Sequence, residues 1–387
     1  MGGRGVLATG LALALAAGPG AAPVLAEAAP VRCAPQRGGT QVGESWGQRR
    51  LAFTGVWPLT RGEGVTVAMI DSGVDARHPQ VRVAKAVDLT GTGARDCLGH
   101  GTAVAGIIAG ADMPEIPFSG VAPKARLISI KQTNDERGDV ALLARGIVRA
   151  AELGAKVVNV SIQTNDQPDL KAAVDYALAR DVVIVAAAGN TGNTGDGASA
   201  PAYPAAYPGV LSVGSAGPDG HRTDFSNATT PVSVLAPGQD VTSTWPGGAY
   251  RQDLDGTSYA APYVAGVAAL VRARHPELDN VRVRRRIEVT ADGATGAGNG
   301  AGMVNPLLAV TAILPSEAVA IAPPVPPPLP SGVVSKAVPP DREAISMSVG
   351  VTVIALGAAA LVTGVSLVLP LGRRRGWRPG RAVVPDE

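Results

Sequence analysis

The sequence predicts an α/β domain, a three-layer fold with a mostly parallel central sheet, followed by one C-terminal transmembrane helix. Two observations predict it. From residue 65 onward, short and nearly continuous apolar runs alternate with helical stretches, the pattern of parallel strands covered on both faces. A separate apolar run at residues 347–369 is long enough to cross a hydrocarbon core of about 30 Å, which takes about 20 helical residues. The 387 residues are 46% hydrophobic, ample for one large core. The formal net charge of +2 gives no electrostatic case for nucleic acid or for an acidic partner.

The chain begins with Arg4, an apolar stretch over residues 6–17 and then Val24-Leu25-Ala26, which reads as a signal peptide over residues 1–26. The alternative is a short signal anchor that stays attached; the Gly and Pro residues beyond Ala17 argue against a span. Residues 27–56 are too few to bury a core of their own and are expected to wrap the main domain, spanning 57–314. Within that domain, strands are predicted at 65–70, 126–130, 156–161 and 182–187. Helices are predicted at 102–110, 139–153 and 170–180, the second with Val140, Leu143, Ile147 and Ala151 on one face. Residues 191–208, rich in Gly, Asn, Ala and Pro, form a loop, and a long helix runs from Ser258 to about residue 274. Arg282, Arg284, Arg285 and Arg286 fall in a last helix and are expected on its solvated face. Residues 315–344 are a Pro-rich linker, since proline lacks the donor that helices and sheets use and favours an extended chain, either a spacer or a strip that docks along the body or a partner. The membrane helix covers 345–371. Arg373, Arg374, Arg375, Arg378 and Arg381 follow it, so residues 372–387 are expected on the cytoplasmic side of a bacterial membrane, with the body outside.

Three segments carry the chemistry. Ile70-Asp71-Ser72-Gly73 puts an acid at the end of an apolar strand. Gly99-His100-Gly101-Thr102 puts a histidine at the start of a helix, and Gly256-Thr257-Ser258-Tyr259-Ala260 puts a serine at the start of another. Each alone reads as a turn residue or a cap. Together, in the order Asp, His, Ser and framed by small residues, they have the order of the subtilisin triad. Ligands in parallel α/β sheets bind outside the carboxyl ends of the strands, where these segments fall.

These motifs, with His78-Pro79, Ala188-Gly189-Asn190, Tyr203-Pro204-Ala205 and Phe225-Ser226-Asn227, resemble the subtilisin-like serine proteases over roughly residues 57–314. The resemblance implies a subtilisin-like fold and a serine endopeptidase acting on protein or peptide substrates; no cofactor is expected, and no carboxylate cluster in the sequence marks a metal site. It implies that Ser258 is the nucleophile, His100 the general base, Asp71 the residue that orients the imidazole, and Asn190 an oxyanion donor. It also implies substrate binding along Ser161-Ile162 and Arg137-Gly138. Many relatives read Ser-Leu-Gly-Gly where this chain reads Ser161-Ile162-Gln163-Thr164, which points to a narrower cleft.

Cys33 and Cys97 are the two cysteines. Outside the membrane an even pair reads as a disulfide, here tying the N-terminal segment to the rim of the site; a free Cys97 and an intermolecular bridge are the alternatives. The layout of tethered N-terminal segment, protease domain, Pro-rich linker and single membrane helix resembles the mycosins, proteases of type VII secretion. That layout implies lipid contact through the C-terminal helix and association with a type VII secretion membrane complex. It leaves open an endopeptidase, a chiefly structural component, or a general surface degradative protease.

Overall fold

The computed structural model describes residues 33–135, 138–191, 200–293, 296–315, 317 and 341–376. The signal peptide, most of the Pro-rich linker and the end of the basic tail lie outside the described residues. The chain divides into two units, Met1–Ala320 and Ile321–Glu387.

The first unit carries strands β1 (Thr66–Asp71), β2 (Val83–Asp88), β3 (Arg126–Lys131), β4 (Val157–Val160), β5 (Val183–Ala187), β6 (Leu211–Ala216), β7 (Val234–Pro237), β8 (Val241–Trp245) and β9 (Ala249–Leu254). Its helices are α1 (Trp46–Leu51), α2 (His100–Ala109), α3 (Val140–Glu152), α4 (Pro168–Leu178), α5 (Thr257–Arg274), α6 (Asn280–Val289) and α7 (Pro306–Thr311). Among the described residues, seven strands form a parallel sheet in the order β2-β3-β1-β4-β5-β6-β7.

The sheet is buried on both faces, and β1 shows why its strands lack polar alternation. Val67 and Met69 point into a cluster shared with α2 and α5; Ala68 and Ile70 point into a second cluster with α3 and α4. From β1 the chain goes out to the edge strand β2, returns through β3 beside β1, then crosses to β4 on the other side. That crossing opens a crevice beyond the carboxyl end of β1, where Asp71 stands.

Helices α2 and α5 lie on the same face, and the hydroxyls of Ser243 and Thr244 in β8 donate to the carbonyls of Ala103 and Thr102 in α2. The β8–β9 hairpin was not expected from the sequence; its polar Val-Thr-Ser-Thr and Arg-Gln-Asp stretches lack the apolar run that marks the buried strands.

Residues 33–56 lie along this unit. Gly39 pairs with Tyr250 of β9, Trp46 donates to the Gln239 carbonyl, and Gln48 bonds Pro117 and Ser119. Cys33 and Cys97 form a disulfide.

The solvated reading of the α6 arginines is corrected at Arg286. Its side chain is 1% exposed and donates to the carbonyls of Ala309 and Ala312 and to the Glu317 carboxylate. Spacing along a helix does not reveal that α7 and the chain after it cover one side of α6.

The second unit contains α8 (Arg342–Arg374), 33 residues capped by Asp341, whose carboxylate accepts from the Glu343 and Ala344 amides. Its apolar window has a mean hydropathy of 2.3 and none of it is buried, which fits a single-pass membrane anchor.

Candidate active site

Asp71 ends β1 with its side chain 1% exposed. Its Oδ1 accepts from the Ser72 amide at 2.8 Å and faces His100 Nδ1 at 2.8 Å. A carboxylate only accepts, so the proton of the neutral imidazole sits on Nδ1 and Nε2 is left as the basic nitrogen. The imidazole itself is about a quarter exposed, at 26%, so its outer edge reaches the cleft.

His100 is presented by the first turn of α2, and Asp96 holds that turn. Asp96 Oδ1 accepts from the Leu98 and Gly99 amides and from Ser72 Oγ, and Oδ2 accepts from Thr102 N and Oγ1. One buried carboxylate thus satisfies the amides that open the helix and links them to the residue after Asp71. The Gly101 amide donates to Ser72 Oγ, closing the link. Neither Asp96 nor Ser72 was singled out from the sequence; an acid just before a helix is the cap signal that marks Asp96.

Ser258 lies in the first turn of α5, half-buried. Its neighbour Tyr259 sets its ring 5.0 Å from the His100 ring, so the two helix starts meet at the same place. Gly256, with φ +145, lets the backbone enter α5 from the edge of the sheet, where its amide donates to the Gly238 carbonyl. The position a Cβ would take on Gly256 lies 3.0 Å from Ser258 Oγ and 3.4 Å from Asn190 Nδ2. Hydroxyl and amide therefore flank one small space, kept open because residue 256 has no side chain. The amides opening α5 and the positive end of its dipole favour negative charge beside Ser258.

Asn190 follows β5. Its Oδ1 accepts from both the amide and the hydroxyl of Thr257, each at 3.0 Å, which turns Nδ2 toward that space. Its own amide donates to Gln163 Oε1 at 2.7 Å. Sequence reading named Asn190 but neither Thr257 as its holder nor Gln163 as its partner.

The expected substrate-binding residues are placed differently from one another. Ser161 is buried, and its hydroxyl donates to the Ser258 carbonyl at 2.7 Å while accepting from Asn159 Nδ2. Its side chain thus supports the Ser258 backbone. Ile162 packs against the cluster under α3 and α4. Gly138, with its amide bonded to the Asp135 carboxylate, lies at the entry to α3, and Arg137 lies outside the described residues.

The Subtilase family sequence model matches residues 62–305. Mycosin-4 of Mycobacterium tuberculosis is 39% identical over 375 residues, covering 84% of this chain and 81% of its own. Mycosin-3 of the same organism is 37% identical over 395 residues, covering 85% and 84%. The crystal structure of MycP1 from the ESX-1 type VII secretion system matches with a TM-score of 0.66 at 32% identity, over 74% of this chain and 90% of that one.

Proposed function

Because the chain belongs to the subtilase family of serine proteases, we propose that Asp71, His100 and Ser258 are its catalytic triad, with Asn190 as an oxyanion donor. The observation that carries this reading is the bond between Asp71 and His100, which leaves the basic imidazole nitrogen at the helix junction where Ser258 and Asn190 flank one space.

In the reaction this implies, His100 Nε2 takes the proton of Ser258 Oγ as the oxygen attacks the scissile carbonyl carbon. The carbonyl oxygen gains negative charge and is met by Asn190 Nδ2 and the amides at the start of α5. Collapse of the tetrahedral species breaks the C–N bond, and His100 returns the proton to the departing amine. Water, deprotonated by the same nitrogen, then cleaves the ester and restores the Ser258 hydroxyl. Asp71 stays ionised throughout and stabilises the imidazolium.

The chain acts, in this reading, on proteins exported by a type VII secretion system and supports that system's membrane complex. The similarity to mycosins and to MycP1 supports the assignment. Helix α8 anchors the chain in the bacterial cell membrane, and Arg373, Arg374 and Arg375 at its end support a body on the extracytoplasmic side.

Two strains test the reading, one with Ser258→Ala and one with the gene deleted. The expected result is that Ser258→Ala abolishes both labelling by a fluorophosphonate and substrate processing, while deletion also impairs export. Labelling that persists in Ser258→Ala would sink the triad; export unharmed by deletion would sink the supporting role.

A further inference from the structure

Gln163 follows Ser161 and Ile162 at the candidate site, and its side chain is engaged. Its Oε1 accepts the Asn190 amide at 2.7 Å. The same oxygen lies 2.4 Å from the place a Cβ on Gly189 would occupy, so Gly189, at φ +93, is the residue that lets the carboxamide come so close. Gln163 is itself on a firm base. Ile162 is partly buried against the cluster under α3 and α4, and Thr164 exchanges two backbone hydrogen bonds with Tyr203, at 2.9 and 3.0 Å.

Asn190 is consequently held at its side-chain oxygen, at its amide and through both flanking residues. Thr257 takes its Oδ1; the Gly189 carbonyl accepts from the Asn227 amide and the Thr191 amide donates to Phe225; Gln163 takes its own amide. A glycine at 163 offers no side-chain acceptor to that amide. The worth of an oxyanion donor depends on how well it is aimed before the charge forms, within a tolerance of about 0.5 Å.

We infer that Gln163 is a positioning residue: its carboxamide fixes the 189–190 peptide and thereby aims Asn190 Nδ2 at the developing oxyanion. This rests on the proposed role of Asn190. It predicts that losing the Gln163 acceptor slows bond formation at Ser258 while leaving reversible binding of a small probe largely unchanged.

The test is a double-mutant cycle on the full chain in detergent, reading the rate of Ser258 phosphonylation by a fluorophosphonate and separating its maximal rate from its half-saturating concentration. Gln163→Met keeps the length and removes the acceptor; Gln163→Gly removes the side chain altogether. Loss of one hydrogen bond corresponds to a fall in maximal rate of about 5–10-fold, expected for both variants with Asn190 present. In an Asn190→Ala background both should change the rate less than about twofold, because the group they aim is gone. Equal falls in both backgrounds, or no fall in either, would overturn the role of Gln163. If Asn190→Ala alone leaves the rate unchanged, the oxyanion assignment fails, and this inference with it.

Discussion

Ser161 reaches the candidate site from within the fold. Its hydroxyl joins Asn159 Nδ2 to the Ser258 carbonyl, below the nucleophile. Ser161→Ala leaves that carbonyl and that amide without their partner in a buried setting, which costs about 1–3 kcal/mol. The melting temperature should fall and phosphonylation of Ser258 should slow; an unchanged rate in a folded variant would show that the hydroxyl does not steady the nucleophile. At this scale the sequence was most legible where small residues frame Asp71, His100 and Ser258, which the fold brings to the ends of β1, α2 and α5, because glycine and alanine leave a pattern that composition alone does not produce. It was least legible where a side chain bonds across a long sequence distance. Nothing near Gln163 or Thr257 signals a partner at Asn190, and nothing along α6 distinguishes Arg286 from the arginines that precede it.

Among elements, the turn between β1 and β2 illustrates a burial that depends on pH. His78 is buried, donates from Nε2 to the Ala249 carbonyl at the start of β9, and accepts the Gln80 amide at Nδ1. Burial holds its pKa below the ordinary value of 6.5, with the Ala249 carbonyl and Asp75 opposing. A histidine whose folded pKa is lowered binds its proton more readily when unfolded. Its contribution to stability is therefore complete above pH about 6.5 and is lost as pH falls through the lower folded value. Protonation would also break the Gln80 bond at Nδ1. The denaturant midpoint should drop between pH 7 and pH 5, and His78→Gln should flatten that drop; an unchanged slope would assign it to other groups.

The junction of α6 with the chain after α7 is held by a buried cation. Burial lowers the Arg286 pKa and Glu317 opposes the shift. Removing one partner of such a pair leaves an uncompensated charge, so Glu317→Ala should destabilise the domain by about 3 kcal/mol, measured by chemical denaturation. The four buried strands β1, β3, β4 and β5 were readable from their apolar runs, with ends displaced by a residue or two; β6 and β7, equally buried, were not, because Ser212, Gly214 and Ser215 interrupt the one and the other is four residues long. The β8–β9 hairpin was not, because its hydroxyl side chains are buried by bonding α2, and a run of Thr and Ser reads as loop until that helix is placed beside it.

For the molecule as a whole, the chain combines a subtilase body with a helix apolar enough to cross a membrane. Truncation after residue 317 removes α8 and should move the protein from the membrane pellet to the soluble fraction while leaving fluorophosphonate labelling of Ser258 intact. A truncated chain that still sediments with membranes would mean that the body binds there by itself.

The bond between Cys33 and Cys97, 64 positions apart in sequence, makes the segment between them a covalently closed ring that contains Asp71. A protease that cuts the backbone once inside that ring does not release a fragment. Such a nicked chain would migrate as one species on a denaturing gel without thiols and split in two when reductant is added, so a maturation cut there would escape any assay that looks only for lost mass.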